Sequence, residues 1–158
     1  MVLAKYNFNE DEYAYTRKAL EDNGIGVRIA AGEAGVCTGT TGTTVDVDFG
    51  FSSVSPDSYL GIVFIGGSGV DAYFNNDEVL ELVKKFFSSN KIVAAICWAP
   101  VILARAGILA QRKATAWDGA KADLAKGGAI FTGEKVTVDN TIVTANGPES
   151  AIEFGQAI

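Results

Sequence analysis

The stretch V-A-A-I-C-W-A-P, residues 93–100, decides how this chain is read. Small and apolar residues run into a cysteine, then an indole, then a proline. With Lys91 and Ile92 in front, "KIVAAIC" (91–97) reads as a strand apolar on both faces, and "APVILARAG" (99–107) as the helix that follows it. The first helical turn accepts Pro100, because the N–H that proline lacks would have no partner there. A strand buried on both faces belongs to a parallel sheet covered by helices on two sides.

The same alternation continues outward. "MVLA" (1–4) reads as a short strand, and residues 9–24 as a helix opened by Asn9 and closed at Gly24. "GVRIAA" (26–31) is a second strand, and the Gly- and Thr-rich stretch 35–47 a hairpin or excursion off the sheet. "LGIVFIGG" (60–67) is a buried strand ending in paired glycines, with a helix near 76–88 after it. Beyond the 99–107 helix come "KATAW" (113–117), a short helix near 118–126, three short strands at 129–133, 135–139 and 141–145, and a last helix from Glu149. No linker or repeat interrupts the pattern, so residues 1–158 are expected to form a single three-layer α/β/α domain with a mainly parallel sheet.

Composition removes several classes of function. The net charge of -6, with no basic stripe, repels phosphate backbones and argues against nucleic acid. No long apolar run and no basic-then-apolar leader points to a membrane or to export, so a cytoplasmic protein with reduced thiols is expected. Two cysteines, Cys37 and Cys97, are a thin disulfide framework for a chain of 158 residues. The sequence contains no histidine, which removes the usual neutral-pH base and the commonest metal ligand together. No metal and no cofactor is implied.

In open α/β sheets ligands bind beyond the carboxyl ends of the strands, which puts Gly66, Gly67 and Cys97 on one rim. A cysteine where a strand gives way to a helix meets free N–H groups and the positive helix end, which lower a thiol's pKa. The alternative is a small buried residue without chemistry, as many free cysteines are.

"AAICWAPVILARAGILAQRKATAW" (94–117), "FIGGSG" (64–69), "EDEYAYTRKALEDNG" (10–24) and "TANGPESAIEFGQAI" (144–158) together resemble the DJ-1/PfpI superfamily, whose sheet is like that of class I glutamine amidotransferases. The likeness covers almost the whole chain and implies the flavodoxin-like form of the three-layer sandwich. Relative to typical members the chain starts late in the first strand and stops within the final helix, as a partial copy would.

The resemblance implies that Cys97 is a reactive nucleophile and that a carboxylic acid from the first helix hydrogen-bonds its sulfur. Counting four residues on from Phe8, or twelve back from Gly24, gives Glu12 both times. Asn9 and Glu12 also have the spacing of a capping box, in which the glutamate only satisfies the helix N-terminus. Beside a thiolate, a buried Glu12 would have a raised pKa and donate a hydrogen bond. The N–H groups of Gly67 and Trp98 are candidates for an oxyanion hole, with Gly66 and Trp117 as pocket residues. A turn needing positive φ would equally explain Gly67, and ordinary packing would explain Trp98.

Members with protease-like or glyoxalase-like activity commonly carry a histidine directly after the cysteine or at the end of the following T-x-H strand. Here those positions hold Trp98 and Trp117, and an indole N–H donates but takes no proton, so no Cys-His dyad exists. Cys37 is expected to be structural or an incidental surface thiol, and Asp118 to cap the short helix after it. "IGGSG" lacks the spacing and lysine of a phosphate loop.

Two classes of function follow. One is a cysteine enzyme acting on small reactive carbonyls in the glyoxalase or deglycase manner. The other is a non-enzymatic redox sensor, with an oxidant as its small-molecule partner, or a chaperone. A PfpI-type peptidase is disfavoured, because amide cleavage needs a general acid for the leaving amine. Family members are commonly dimers or larger, and with 48% hydrophobic residues a homodimer or higher homo-oligomer is expected here.

Overall fold

The computed structural model describes residues 1–158. In chain order the elements are β1 (Tyr6–Phe8), α1 (Glu10–Asp22), β2 (Ala30–Ala31), β3 (Gly35–Gly39), β4 (Thr44–Val47), β5 (Phe49–Gly50), β6 (Gly61–Phe64), α2 (Asp77–Ser88), β7 (Ile92–Ile96), α3 (Pro100–Arg105), β8 (Lys113–Ala114), α4 (Lys121–Lys126), β9 (Ile130–Phe131), β10 (Val136–Asp139), β11 (Ile142–Ala145) and α5 (Ala151–Ala157). Short 3-10 turns lead into α4 and α5.

The central sheet runs β10-β11-β7-β6. All of its pairs are parallel except β10 with β11. The N-terminal residues extend it: Val2 bridges in parallel to Phe64 on one side and to Ala30 on the other, which joins the β2-β5 pair to β6. β7 lies inside this sheet, and Val93–Ile96 are wholly buried, as its unbroken run of small and apolar side chains requires. One helical layer is α1 along α5, tied by Thr16 Oγ1 donating to the Ala151 carbonyl at 3.4 Å. α2 and α3 form the other. α2 buries Val79, Leu82, Val83 and Phe86, a helical stripe one face wide, and Asn76 caps it by accepting the Val79 N–H at 3.1 Å.

Several expected boundaries move. Residues 1–4 lie in the sheet yet make only isolated bridges, and the strand that follows, β1, leaves the central sheet to pair with β3 of the hairpin. Only Ala30 and Ala31 of the 26–31 segment pair as a strand, because their partner β5 is itself two residues long. The 35–47 stretch is the antiparallel β3-β4 hairpin. Cys37 sits in it fully buried, not as a surface thiol. Asp118 is the first residue of a 3-10 turn and its side chain caps nothing, which corrects its expected role as an N-cap.

Candidate active site

Cys97 follows β7 directly, and its backbone has φ +62°, a conformation few non-glycine residues adopt. Two hydrogen bonds hold it there. Its N–H donates to the Ala145 carbonyl at 2.9 Å, and its own carbonyl accepts the Trp117 N–H at 2.9 Å. Such strain costs on the order of 1–3 kcal/mol and persists only where surrounding structure fixes it. The side chain is half-buried, so the sulfur is neither sealed nor fully open.

Glu12 comes to this point from the first turn of α1 and is fully buried. Half of a capping box is present, since Asn9 Oδ1 accepts the Glu12 N–H at 3.0 Å. The other half is not. The Asn9 N–H donates to the Gly66 carbonyl at 3.0 Å, and Glu12 Oε2 accepts the Gly66 N–H at 2.9 Å. The carboxyl is thus turned away from its own helix and into the rim of the sheet. Glu12 Oε1 is buried and has no hydrogen-bond partner, and the carboxyl stands beside the Cys97 thiol.

Gly66 makes this contact sterically feasible. A Cβ there would come within 2.7 Å of Glu12 Oε2 and 2.8 Å of Cys97 Cβ. It was expected to line the pocket, but it is buried behind the two side chains, and its N–H is taken by Glu12. Gly67 has φ +103°, which favours glycine, and residues 7–9 crowd the place a side chain would occupy. The N–H groups of Gly67 and Trp98 donate to no backbone carbonyl, and both lie against the Cys97 sulfur. They are two donors at one point, open to a developing negative charge.

Burial pushes the Glu12 carboxyl up to about 7, against the pull of the neighbouring Cys97 thiol and the Gly66 N–H, and the charges of Glu149 and Asp11 add to the rise. Burial likewise pushes the Cys97 thiol up, to about 12, helped by the charge of Glu12 beside it, while the Trp98 and Gly67 N–H groups pull it down. The depressed thiol pKa expected from the sequence is therefore corrected. α3 has only six residues and begins at Pro100, so the sulfur meets a buried carboxyl more closely than a positive helix end. The two acids titrate as a pair, and a proton on Glu12 removes the like-charge penalty on a thiolate.

Trp98 is half-buried and stands edge-on to Phe74, ring centroids 5.1 Å apart. Trp117 lies 6.2 Å from Trp98 and keeps 50% of its surface exposed. Cys37 is remote from this arrangement in the chain's pairing: it lies opposite Val45 in the hairpin, and burial raises its pKa.

A family model described as the DJ-1/PfpI family matches residues 1–158. The chain belongs to the DJ-1/PfpI family. Among DJ-1/PfpI relatives, an uncharacterised protein of Methanocaldococcus jannaschii is 40% identical over 158 residues, covering 98% of this chain and 77% of its own. A protein of Pyrococcus abyssi named a deglycase is 35% identical over 148 residues, covering 94% of this chain and 89% of its own. The crystal structure of a ThiJ/PfpI domain protein from Brachyspira murdochii superposes with a TM-score of 0.97 at 32% identity, over 99% of this chain and 90% of that one. The flavodoxin-like, class I glutamine amidotransferase-like sandwich is thus the fold of this DJ-1/PfpI chain. No helix in it is long and apolar enough to cross a membrane.

Sequence reasoning did not find the reciprocal bonding of Gly66 with Asn9 and Glu12, nor Phe74 behind Trp98. The paired glycines at the end of β6 were the available signal for the first. Phe74 lies in a stretch without period or motif and gave none.

Proposed function

We propose that this protein is a cysteine-dependent enzyme acting on small reactive carbonyls, in the manner of a glyoxalase or deglycase. The observation that carries the reading is the buried Glu12 carboxyl against the Cys97 thiol, with two free N–H donors beside the same sulfur. Relatives named as deglycases at about a third identity add weight.

With methylglyoxal as substrate, the Cys97 sulfur attacks the aldehyde carbon. The S–C bond forms as the carbonyl π pair moves onto oxygen, where the Gly67 and Trp98 N–H groups hold it. The thiol proton passes to Glu12 and from there to that oxygen, giving a hemithioacetal. Glu12, again a carboxylate, removes the proton from the same carbon to give an enediolate. The C1 hydroxyl proton passes to the oxygen on the neighbouring carbon, and Glu12 returns its proton to that carbon, which leaves a lactoyl thioester on Cys97. Water then cleaves the resulting thioester to lactate and regenerates the thiol. The net reaction adds one water and needs no external oxidant. A carboxyl with a pKa of about 7 suits both halves of this relay, since a catalytic acid–base works best near the operating pH.

The missing histidine favours, as a second reading, a non-enzymatic redox sensor or chaperone. Assaying purified protein against labelled casein, methylglyoxal and hydrogen peroxide, beside Cys97→Ser, separates the cases. The proposed enzyme turns over methylglyoxal and leaves casein intact. Casein cleavage lost in Cys97→Ser would replace it with a peptidase, and oxidation of Cys97 without carbonyl turnover would favour the sensor. We also propose a homodimer or larger assembly in the cytoplasm, to be checked by light scattering across micromolar concentrations.

A further inference from the structure

We infer that Trp117, fixed against Trp98, is a specificity residue that selects carbonyl substrates carrying an aromatic group over purely aliphatic ones; this rests on the carbonyl chemistry proposed for Cys97. Trp117 is attached to the site through its backbone, since its N–H donates to the carbonyl of Cys97 itself. The indole is half exposed, yet it is not loose. Its six-membered ring lies over Gly119, where a Cβ would overlap the ring atoms, and its other neighbour is the Trp98 ring. An exposed indole held from two directions is preorganised, which lowers the entropy cost of binding to it.

The two indole planes meet at 77°, and Trp98 is backed in turn by Phe74 at 84°. They form a corner in which a third ring can lie flat on one indole and meet the other by its edge, the two arrangements aromatic pairs prefer. No lysine or arginine stacks on either indole. The cations that lie over aromatic rings sit instead on Tyr13, Phe87 and Phe131. Trp98 links this corner to the sulfur, because its own N–H lies against the Cys97 thiol while its ring forms one wall. A small aliphatic aldehyde uses the sulfur and leaves the corner wet; an aryl-bearing one fills both.

The test compares phenylglyoxal with methylglyoxal in the native protein, Trp117→Ala and Gly119→Ala, the last displacing the indole without removing it. The ratio of kcat/KM for phenylglyoxal to that for methylglyoxal is expected to fall roughly two- to tenfold in both variants, the span an aromatic pair confers. An unchanged ratio overturns the inference. The methylglyoxal arm reports separately on the carbonyl reading itself. If neither aldehyde is turned over, the corner is still tested by NMR, because the chain has only two tryptophans and so two indole N–H signals. Benzyl alcohol is expected to shift both, 2-propanol neither, and Trp117→Ala to abolish the response at Trp98. Signals that ignore benzyl alcohol, as when a second copy of the chain covers Trp117, overturn the inference.

Discussion

Glu12 Oε2 accepts the backbone N–H of Gly66 at 2.9 Å, a bond that crosses from the first helix to the end of β6 and aims the carboxyl at Cys97. Everything proposed for the site depends on that anchor. Gly66→Ala would place a methyl 2.7 Å from Glu12 Oε2, 2.8 Å from Cys97 Cβ and 2.9 Å from the Ile96 carbonyl. The Glu12 carboxyl can swing aside, but Cys97 Cβ and the Ile96 carbonyl belong to the fixed frame of the rim. Chemical denaturation should show a loss of about 1–3 kcal/mol, the usual cost of overpacking. Carbonyl turnover should fall as well, because the carboxyl is pushed off the sulfur. Native stability and turnover in this variant would show that the close approach is unimportant.

The raised pKa of Glu12 also sets a pH dependence of stability. In the unfolded chain this carboxyl titrates near 4.5, in the folded protein near 7. Between those values the folded state holds the proton more tightly, so the group's contribution is fully present below about 4.5 and is lost as pH rises through about 7. The loss amounts to about 3 kcal/mol at most. Urea titrations at pH 5 and pH 7.5 should show the native protein losing more stability with rising pH than Glu12→Gln does. Parallel curves for the two would mean that the carboxyl is not held neutral by burial.

The two thiols should differ in reactivity. Cys97 is half-buried at the rim, whereas Cys37 is fully buried in the hairpin. Alkylation of native protein followed by mass spectrometry should label Cys97 first, with Cys37 reacting only on unfolding. With its pKa pushed up, Cys97 should react more slowly than a free thiol and accelerate with rising pH. Labelling of Cys37 at an equal or greater rate would contradict the placement of both.

Much of this was legible in the sequence, for physical reasons. β7 and α2 were readable because each is buried by its own pattern, an unbroken apolar run in one and a single helical stripe in the other. Residues 1–4 and 26–31 were only half readable, since their pairing is fixed by short partners far along the chain, Phe64 and β5. At the site, spacing alone left Glu12 between cap and sulfur partner. The choice is made by Gly66, whose carbonyl takes the Asn9 N–H and whose N–H takes the carboxyl. The direction of the Cys97 pKa was misread because desolvation is a property of the assembled site, and no local motif encodes it.

The most direct measurement is the rate of lactate formation from methylglyoxal at neutral pH by the native protein, Cys97→Ser and Glu12→Gln side by side. Circular dichroism should establish that all three are folded. The account predicts turnover by the native protein, background rates in Cys97→Ser, and a loss of about 10²- to 10⁴-fold in Glu12→Gln, the usual worth of general acid–base help. Lactate formed by Cys97→Ser at the native rate, or by Glu12→Gln without loss, would contradict it.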